Sequence, residues 1–190
     1  IYAKYPQEYC VIIGLYIDDI LIVSNDIKVV KDTTKYLFPR FKMKDLGDVD
    51  TILGIKVRKH TRDYALCQSH YIDKILNKFQ QHLKVKEVST LFDPSLKLHE
   101  NSRNLIAQHE YVSAIGSLMY AMHCTIPDIS YAICRLARYT KNPSMDHWKS
   151  MVRIFGYLKR TKSLRLFHNK FAPVLESYSD ASWFISVSDK

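Results

Sequence analysis

Glycine is scarce in this chain, low-complexity tracts are absent, and no uninterrupted apolar run is long. Only five of the 190 residues are glycine, while 47% are hydrophobic and 25% are charged. This composition is typical of a folded protein and excludes a disordered tail. A chain of this length can bury the core of one domain or of two small ones.

The longest apolar stretch, at about residues 11–23, is interrupted by Asp18 and Asp19. It therefore cannot supply the roughly 20 apolar residues of a membrane span. No signal peptide or transit segment is evident, so the sequence predicts an intracellular protein with no membrane partner. The chain begins with Ile1 and not with Met, which suggests an excerpt or a processed product.

Cysteine is sparse and scattered. No two cysteines form a Cys-x-x-Cys pair, and the histidines show no ligand spacing. The cysteines are Cys10, Cys67, Cys124 and Cys134. We expect reduced and mostly buried thiols. Gly-rich phosphate loops, Gly-x-Ser-x-Gly elbows and His-Glu-x-x-His pairs are missing as well, so other common enzyme classes lack support.

Acidic residues are outnumbered by basic ones. The chain contains 28 Lys and Arg but only 19 Asp and Glu, which gives a net charge of +9. Such a surplus favours polyanionic partners such as nucleic acid. Residues 141–170 hold eight basic residues against the single acid Asp146. They are Lys141, Lys149, Arg153, Lys159, Arg160, Lys162, Arg165 and Lys170. This segment predicts either phosphate contacts or a solvated helix face, and both alternatives stay open.

Hydrophobic periodicity predicts strands first and helices later. Residues 9–17 and 20–23 predict two buried strands joined at Asp18-Asp19, followed by a helix from a cap at Asp26 to about residue 38. Residues 51–58 and 64–68 predict a second hairpin. Helices are expected from Ser69, from about residue 109 to 123, after a cap at Asp128, and from about Ser144. A connecting loop is expected at 80–108, and short strands at 164–168 and 174–179.

Two adjacent carboxylates between apolar runs repel each other unless a cation offsets their charge. Asp18 and Asp19 therefore predict a divalent metal site. Hard oxygen ligands suit Mg²⁺, which usually takes one or two protein carboxylates and completes its shell with water or phosphate oxygens. The alternative is an ordinary exposed Asp-Asp turn.

Further short motifs follow Tyr-Ile-Asp-Asp (16–19) in a fixed order. They include Phe-Lys-Met-Lys-Asp-Leu-Gly (41–47), Leu-Gly-Ile (53–55), Gln-Ser-His-Tyr-Ile (68–72), Ile-Gly-Ser-Leu-Met-Tyr (115–120), Thr-Ile-Pro-Asp-Ile (125–129), His-Trp (147–148), Tyr-Leu-Lys-Arg-Thr (157–161) and Tyr-Ser-Asp-Ala (178–181). The series resembles the polymerase of copia-type LTR retrotransposons over nearly all of the chain. Each motif alone is weak, but seven or eight in order are a strong signal.

The resemblance implies an α+β fold in three parts. Residues 1–68 would form a partial reverse-transcriptase palm with a catalytic β-hairpin, a helix and a primer-grip hairpin. Residues 69–163 would form a helical thumb and connection region. Residues 164–190 would be the truncated start of a ribonuclease H-like domain.

It also implies residue roles. Asp18 and Asp19 would be catalytic and would hold Mg²⁺ for two-metal nucleotidyl transfer, with Asp18 the stronger ligand. Tyr16, Leu53 and Gly54 would contact the primer-template. Without the resemblance, Gly54 would be read as a strand irregularity or bulge.

Four basic residues and one further acid complete the implied sites. The primer-template-binding set would include Lys149, Arg153, Lys159 and Arg160. Asp180 would bind metal in the ribonuclease H site; taken alone, it would be read as an exposed turn residue.

The sequence departs from the family pattern at several points. Ile126 stands where the family has Arg in a Thr-Arg-Pro-Asp motif, and residues 182–185 differ from the Asp-Trp-Ala-Gly that usually follows the residue matching Ala181. The family also needs a third metal-binding aspartate and nucleotide-binding fingers well upstream, whereas only 15 residues precede Tyr16.

Two hypotheses follow from these departures. The chain is either part of a Pol polyprotein whose other segments complete an RNA-directed DNA polymerase, with RNA/DNA primer-template and deoxynucleotides as partners, or a non-catalytic basic nucleic-acid-binding relic. For the isolated chain we favour inactivity. By resemblance, the location would be a cytoplasmic particle or the nucleus.

Overall fold

A computed structural model describes residues 1–5, 9–61, 63–80, 85–93, 95–96, 98–101, 107–169, 174, 177 and 179. By its internal contacts the chain divides into two compact units, Ile1–Val57 and Arg58–Lys190. Mixed α and β structure is present, with two antiparallel sheets and five α-helices in the described part of the chain. No helix of the described residues is both long and apolar enough to span a membrane.

The first unit is built on an antiparallel sheet of strand order β1-β2-β3. These strands are Tyr2–Lys4, Val11–Tyr16 and Asp19–Ser24. Helix α1, Ile27–Leu37, follows β3, and Asp26 caps it by accepting a hydrogen bond from Lys28 N at 2.8 Å. The predicted strand-turn-strand-helix order is confirmed. The predicted burial is wrong, because no described residue of this unit is fully buried.

A second sheet has the strand order β4-β5-β6-β7, and the boundary between the two units falls within β5. These strands are Thr51–Ile52, Ile55–Lys59, Tyr64–Cys67 and Leu166–His168. His60 N donates to Asp63 O at 2.8 Å in the turn between β5 and β6, so a hairpin forms where it was predicted. The single first strand expected at residues 51–58 is wrong, because β4 ends at Ile52 and β5 begins at Ile55. Strand β7, from the third predicted domain, pairs with β6, from the first. The domain boundaries stay a prediction.

Four helices form the core of the second unit. They are α2, Ser69–Gln80; α3, Gln108–Cys124; α4, Ser130–Ala137; and α5, Met145–Thr161. Tyr111, Leu118 and Met151 are completely buried, and the rings of Phe79 and Phe155 stack with centroids 5.5 Å apart. The predicted helices are therefore confirmed within a few residues at each end.

Two sequence predictions about single residues are wrong. Asp128 does not cap α4, because Pro127 starts a separate 3-10 turn, Pro127–Ile129, and α4 begins at Ser130. All four cysteines are free, but only Cys67 is buried and Cys134 is exposed. Free cysteines are usually buried, but burial of a given cysteine depends on which segments pack over it, and the sequence does not show this.

Candidate functional site

The two adjacent aspartates lie at the tip of the β2–β3 hairpin. Tyr16 pairs with Asp19, so Ile17 and Asp18 form a two-residue turn. Of these two, only Ile17 has a positive φ, 51°, which is the pattern of a type II′ turn. A β-branched residue rarely adopts this conformation, because its Cβ clashes with the backbone there. The turn is therefore strained at the residue next to the carboxylates.

This tip is open to solvent. Tyr16 is 55% exposed and Ile17 is 86% exposed, and both aspartates are exposed as well. Cross-strand partners project from the same face of a sheet, so Tyr16 and Asp19 share one face at the end of the hairpin. A ligand can therefore reach the carboxylates without any rearrangement of a core.

The two carboxylates at the tip are the kind of ligand that Mg²⁺ prefers, but two of them make only part of a metal site. Neither Asp18 nor Asp19 forms a salt bridge with a described residue. Mg²⁺ commonly takes one or two carboxylates from a protein and retains water or phosphate oxygens. However, the described part of the chain contains no group of three or more His, Cys, Asp or Glu placed to hold a metal ion. The pair can thus serve as part of a metal site.

The predicted primer-grip residues form a second hairpin tip in the first unit. Ile52 pairs with Ile55, and Leu53 and Gly54 have φ values of 53° and 71°, the pattern of a type I′ turn. A Cβ at Gly54 would meet nothing within 4 Å, so the positive φ and not a close contact favours glycine. The sequence-based alternative of a strand bulge is wrong. Whether the tip touches a primer stays a prediction.

The four predicted basic ligands lie on α5 in the second unit and have different surroundings. Lys149 is exposed and pairs with Asp146 at 3.1 Å, a solvent-exposed ion pair that contributes little to stability. Arg160 is exposed. Arg153 and Lys159 are half-buried and contact another segment of the same unit. Lys149 and Arg160 are thus the two that present their charge most openly.

That segment is residues 85–93, which we call the strap. Arg153 donates from Nε to Thr90 O at 3.2 Å and from a terminal nitrogen to Thr90 Oγ1 at 2.6 Å, and it pairs with Asp93 at 3.4 Å. Lys159 Nζ donates to Val85 O at 3.5 Å. Arg153 and Lys159 therefore hold the strap against α5. The sequence analysis missed this role, because charge spacing does not identify a partner more than 60 residues away.

Gly156 allows the strap to approach the helix. A Cβ at this position would lie 2.3 Å from Lys86 O, and Val88 N donates to Gly156 O at 3.4 Å. Glycine in a helix interior is unfavourable by about 1 kcal/mol relative to alanine, so a structural reason is expected. The glycine in the predicted helix was the one sequence signal for this contact.

Several of the family motifs contact one another inside the second unit. Gln68 Oε1 accepts a hydrogen bond from Thr125 Oγ1 at 2.7 Å. The Tyr157 hydroxyl donates to the Asp128 carboxylate, and this bond raises the pKa of Tyr157 to about 12. Tyr71 also donates to Ser117 O at 3.2 Å. These motif residues therefore join the start of α2 to α3 and its C-cap, and α5 to the 3-10 turn before α4, which gives them an architectural role.

Some predicted features lie outside the described residues. Asp180, the predicted ribonuclease H ligand, is among them, as are Lys170 and most of the strand expected at residues 174–179. The roles and the strand predicted for these residues are therefore not tested by the structure and stay predictions.

Comparison with known proteins gives several relatives. Residues 1–90 match the sequence model of a family described as reverse transcriptase (RNA-dependent DNA polymerase). The chain is 36% identical over 189 residues to the retrovirus-related Pol polyprotein from transposon TNT 1-94 of Nicotiana tabacum; the match covers 95% of the chain and 14% of that protein. It is also 36% identical over 178 residues to the Pol polyprotein from transposon RE2 of Arabidopsis thaliana, covering 92% of the chain and 12% of that protein.

A shorter relative is an uncharacterized mitochondrial protein of Arabidopsis thaliana, 29% identical over 170 residues, with 89% of the chain and 70% of that protein covered. No solved structure matches the chain. The chain thus spans only a small part of the two Pol polyproteins but most of this shorter relative.

Proposed function

Because residues 1–90 belong to the reverse transcriptase family and the chain is a homologue of copia-type retrotransposon Pol polyproteins, we propose that it forms part of an RNA-directed DNA polymerase. Within that enzyme, Asp18 and Asp19 would supply two carboxylates of the catalytic metal site. The observation that carries this proposal is the exposed two-residue turn that presents both side chains at a hairpin tip. Primer-template and deoxynucleotides would be the substrates.

The residues at the tip would act mainly by position. Asp18 and Asp19 would hold Mg²⁺, which in this reaction neutralises charge on the transferring phosphate. Tyr16 shares a face with Asp19 and could pack against the last base pair of the primer-template. A short hairpin turn fixes the carboxylates relative to the strands, so their geometry does not depend on long flexible side chains.

A second candidate, a non-catalytic nucleic-acid-binding fold, is favoured for the isolated chain by two observations. The described residues bring no third metal ligand to the pair, and the net charge is +9. We therefore expect the 190-residue chain alone to bind nucleic acid with steep salt dependence and to lack polymerase activity. Magnesium-dependent primer extension by the isolated chain would contradict this second candidate.

Metal binding tests the role of the hairpin directly. Mn²⁺, titrated in the presence of a deoxynucleoside triphosphate and followed by electron paramagnetic resonance, should bind to the wild-type chain and lose this site in Asp18→Asn. Asp32→Asn removes an exposed carboxylate of α1 in the same unit and serves as the matched control. Equal Mn²⁺ binding by the two variants would show that the hairpin is not the metal site.

A further inference from the structure

A pocket of about 200 Å³ lies in the second unit beside the strap. Its walls are the strap's last residues, Ser95, Leu96 and Leu98, and helices α4 and α5. The floor is apolar and includes Leu91, Leu98, Leu136 and Ile154. Leu136 and Ile154 also belong to the buried core, so the floor is a fixed surface.

Hydrogen bonds hold one wall of this strap pocket in place. The Arg153 contacts with Thr90 and Asp93 bind the end of the strap to α5. Asp93 Oδ1 also accepts hydrogen bonds from Ser95 N at 3.1 Å and from Ser95 Oγ at 2.7 Å. The wall therefore needs no ordering when a ligand enters, which lowers the entropic cost of binding.

The rim combines aromatic rings with positive charge. Tyr131 is 69% exposed and Phe92 is 55% exposed, although both are large and largely apolar. Arg135 and Lys149 line the same pocket, together with Arg153 and Asp93, the one acid among the described lining residues. The ion pair of Lys149 with Asp146 is solvent-exposed and therefore weak, so it opposes a contact of Lys149 with a phosphate only slightly. The rim therefore favours a ligand that is both flat and anionic.

We propose that the strap pocket receives one unstacked base of a single-stranded nucleic acid. Tyr131, the more exposed of the two rings, would stack on the base, while Lys149 and Arg135 would contact the flanking phosphates. Exposed aromatic rings beside cations are the usual means of binding single strands without sequence preference. A base in a duplex is stacked on both faces and must first be extruded, so a single strand is favoured. This inference depends on the proposed function in one respect: it assumes that the partner is a nucleic acid.

The test compares two single-stranded oligonucleotides of equal length and phosphate number, one of thymidines and one with abasic sites throughout. Binding to the 190-residue chain is followed by fluorescence anisotropy at several salt concentrations. We expect the base-containing strand to bind about tenfold more tightly, the effect of one stacked base. Tyr131→Ala should remove this preference and leave the affinity for the abasic strand unchanged.

Tyr64→Ala is the matched control, because Tyr64 is an exposed tyrosine of the same unit that does not line the pocket. Ala132→Leu, which places a larger side chain in the pocket, should act like Tyr131→Ala, whereas Cys134→Leu on the exposed side of α4 should not. Unchanged circular dichroism spectra would show that each variant is folded.

The outcomes separate this inference from the proposed function. Equal affinity for the two oligonucleotides with steep salt dependence would overturn the base pocket and leave phosphate binding intact. If neither oligonucleotide bound at low salt, both the base pocket and the phosphate binding would be overturned. If an acidic phenylalanine-containing peptide bound with the same sensitivity to Tyr131→Ala while base preference was absent, the pocket would serve a protein partner and the inference would be wrong.

Discussion

The two units of the chain differ in what holds them together. In the second unit, four helices bury aromatic and aliphatic side chains completely, including Tyr111, Leu118 and Leu158. In the first unit no described residue is fully buried, and its structure depends on strand pairing, tight turns and the Asp26 cap. Burial of a large apolar side chain contributes about 1.5–3 kcal/mol, while an isolated hairpin is marginally stable. The second unit is therefore stabilised by a buried core, whereas the first unit exposes its hairpin tips to solvent.

Truncating a core side chain should have the largest effect on stability. We expect Phe155→Ala to destabilise the second unit by about 3–5 kcal/mol, because it loses buried area and the stacked Phe79 ring. Ile13→Ala in the half-buried strand β2 should cost less than about 1.5 kcal/mol. Native-state hydrogen exchange of peptides from α5 and from β2 measures both effects. Equal losses would remove the distinction between the two units.

The strap contact should give the next largest effect. Gly156→Ala places a Cβ 2.3 Å from Lys86 O, so the strap must shift, at a cost of about 1–3 kcal/mol. Gly116→Ala is the matched control, since that helical glycine in α3 has nothing within 4 Å of an added Cβ. It should stabilise the chain by about 0.5–1 kcal/mol through helix propensity. Urea denaturation followed by circular dichroism tests whether the two changes have opposite signs.

Acidification should weaken the start of α5. Burial lowers the pKa of His147 below its ordinary value. Its Nδ1 accepts a hydrogen bond from Ser144 N at 2.8 Å in a capping box, which requires an unprotonated Nδ1. The unfolded chain therefore binds the proton more readily, so this contribution is present above pH ~6.5 and is lost as the pH falls below it.

We expect the free energy of unfolding to fall between pH 7 and pH 5. His147→Asn should flatten this dependence, while His109→Asn, at an exposed position, should leave it unchanged. Urea denaturation at a series of pH values measures the slope. A slope that is the same for both variants would show that His147 does not control it.

The smallest effect on stability is expected at the hairpin tip. Asp18→Asn should change the free energy of unfolding by less than about 0.5 kcal/mol, because the side chain is exposed and forms no salt bridge with the described residues. Thermal unfolding of Asp18→Asn beside Asp32→Asn checks this expectation. A large loss of stability would mean that Asp18 has a structural role.

Sequence periodicity was sufficient to predict helices and strands whose formation depends on neighbouring residues in the chain. The helical spacing of apolar residues after Ser144 predicted α5, and the apolar runs on either side of Asp18-Asp19 predicted the first hairpin. Burial could not be predicted in the same way, because it depends on which other segments cover a strand. Residues 9–17 have the composition of a buried strand and remain only partly covered.

Contacts between residues far apart in the sequence were the other feature that could not be predicted. Arg153 and Lys159 were predicted to bind the primer-template, which stays a prediction, but their contacts with the strap were not predicted. The pairing of Arg153 with Thr90 joins residues 63 positions apart, and no local pattern encodes it. The same holds for Asp128, whose carboxylate accepts a hydrogen bond from Tyr157 on α5 and does not cap α4. The position of the carboxylate pair at a hairpin turn was predicted, because the apolar runs that flank it are local; its role as a metal site stays a prediction.

The most direct test is primer extension by a chimeric polymerase in which this chain replaces the matching segment of the tobacco Pol polyprotein, to which it is 36% identical over 189 residues. We predict magnesium-dependent incorporation of deoxynucleotides on an RNA template. Asp18→Asn should lower the rate by about two to three orders of magnitude, because several kcal/mol of charge stabilisation are lost, whereas Asp32→Asn should retain it. An Asp18→Asn chimera that extends the primer at the unmodified rate would contradict the assignment of the hairpin as the catalytic metal site.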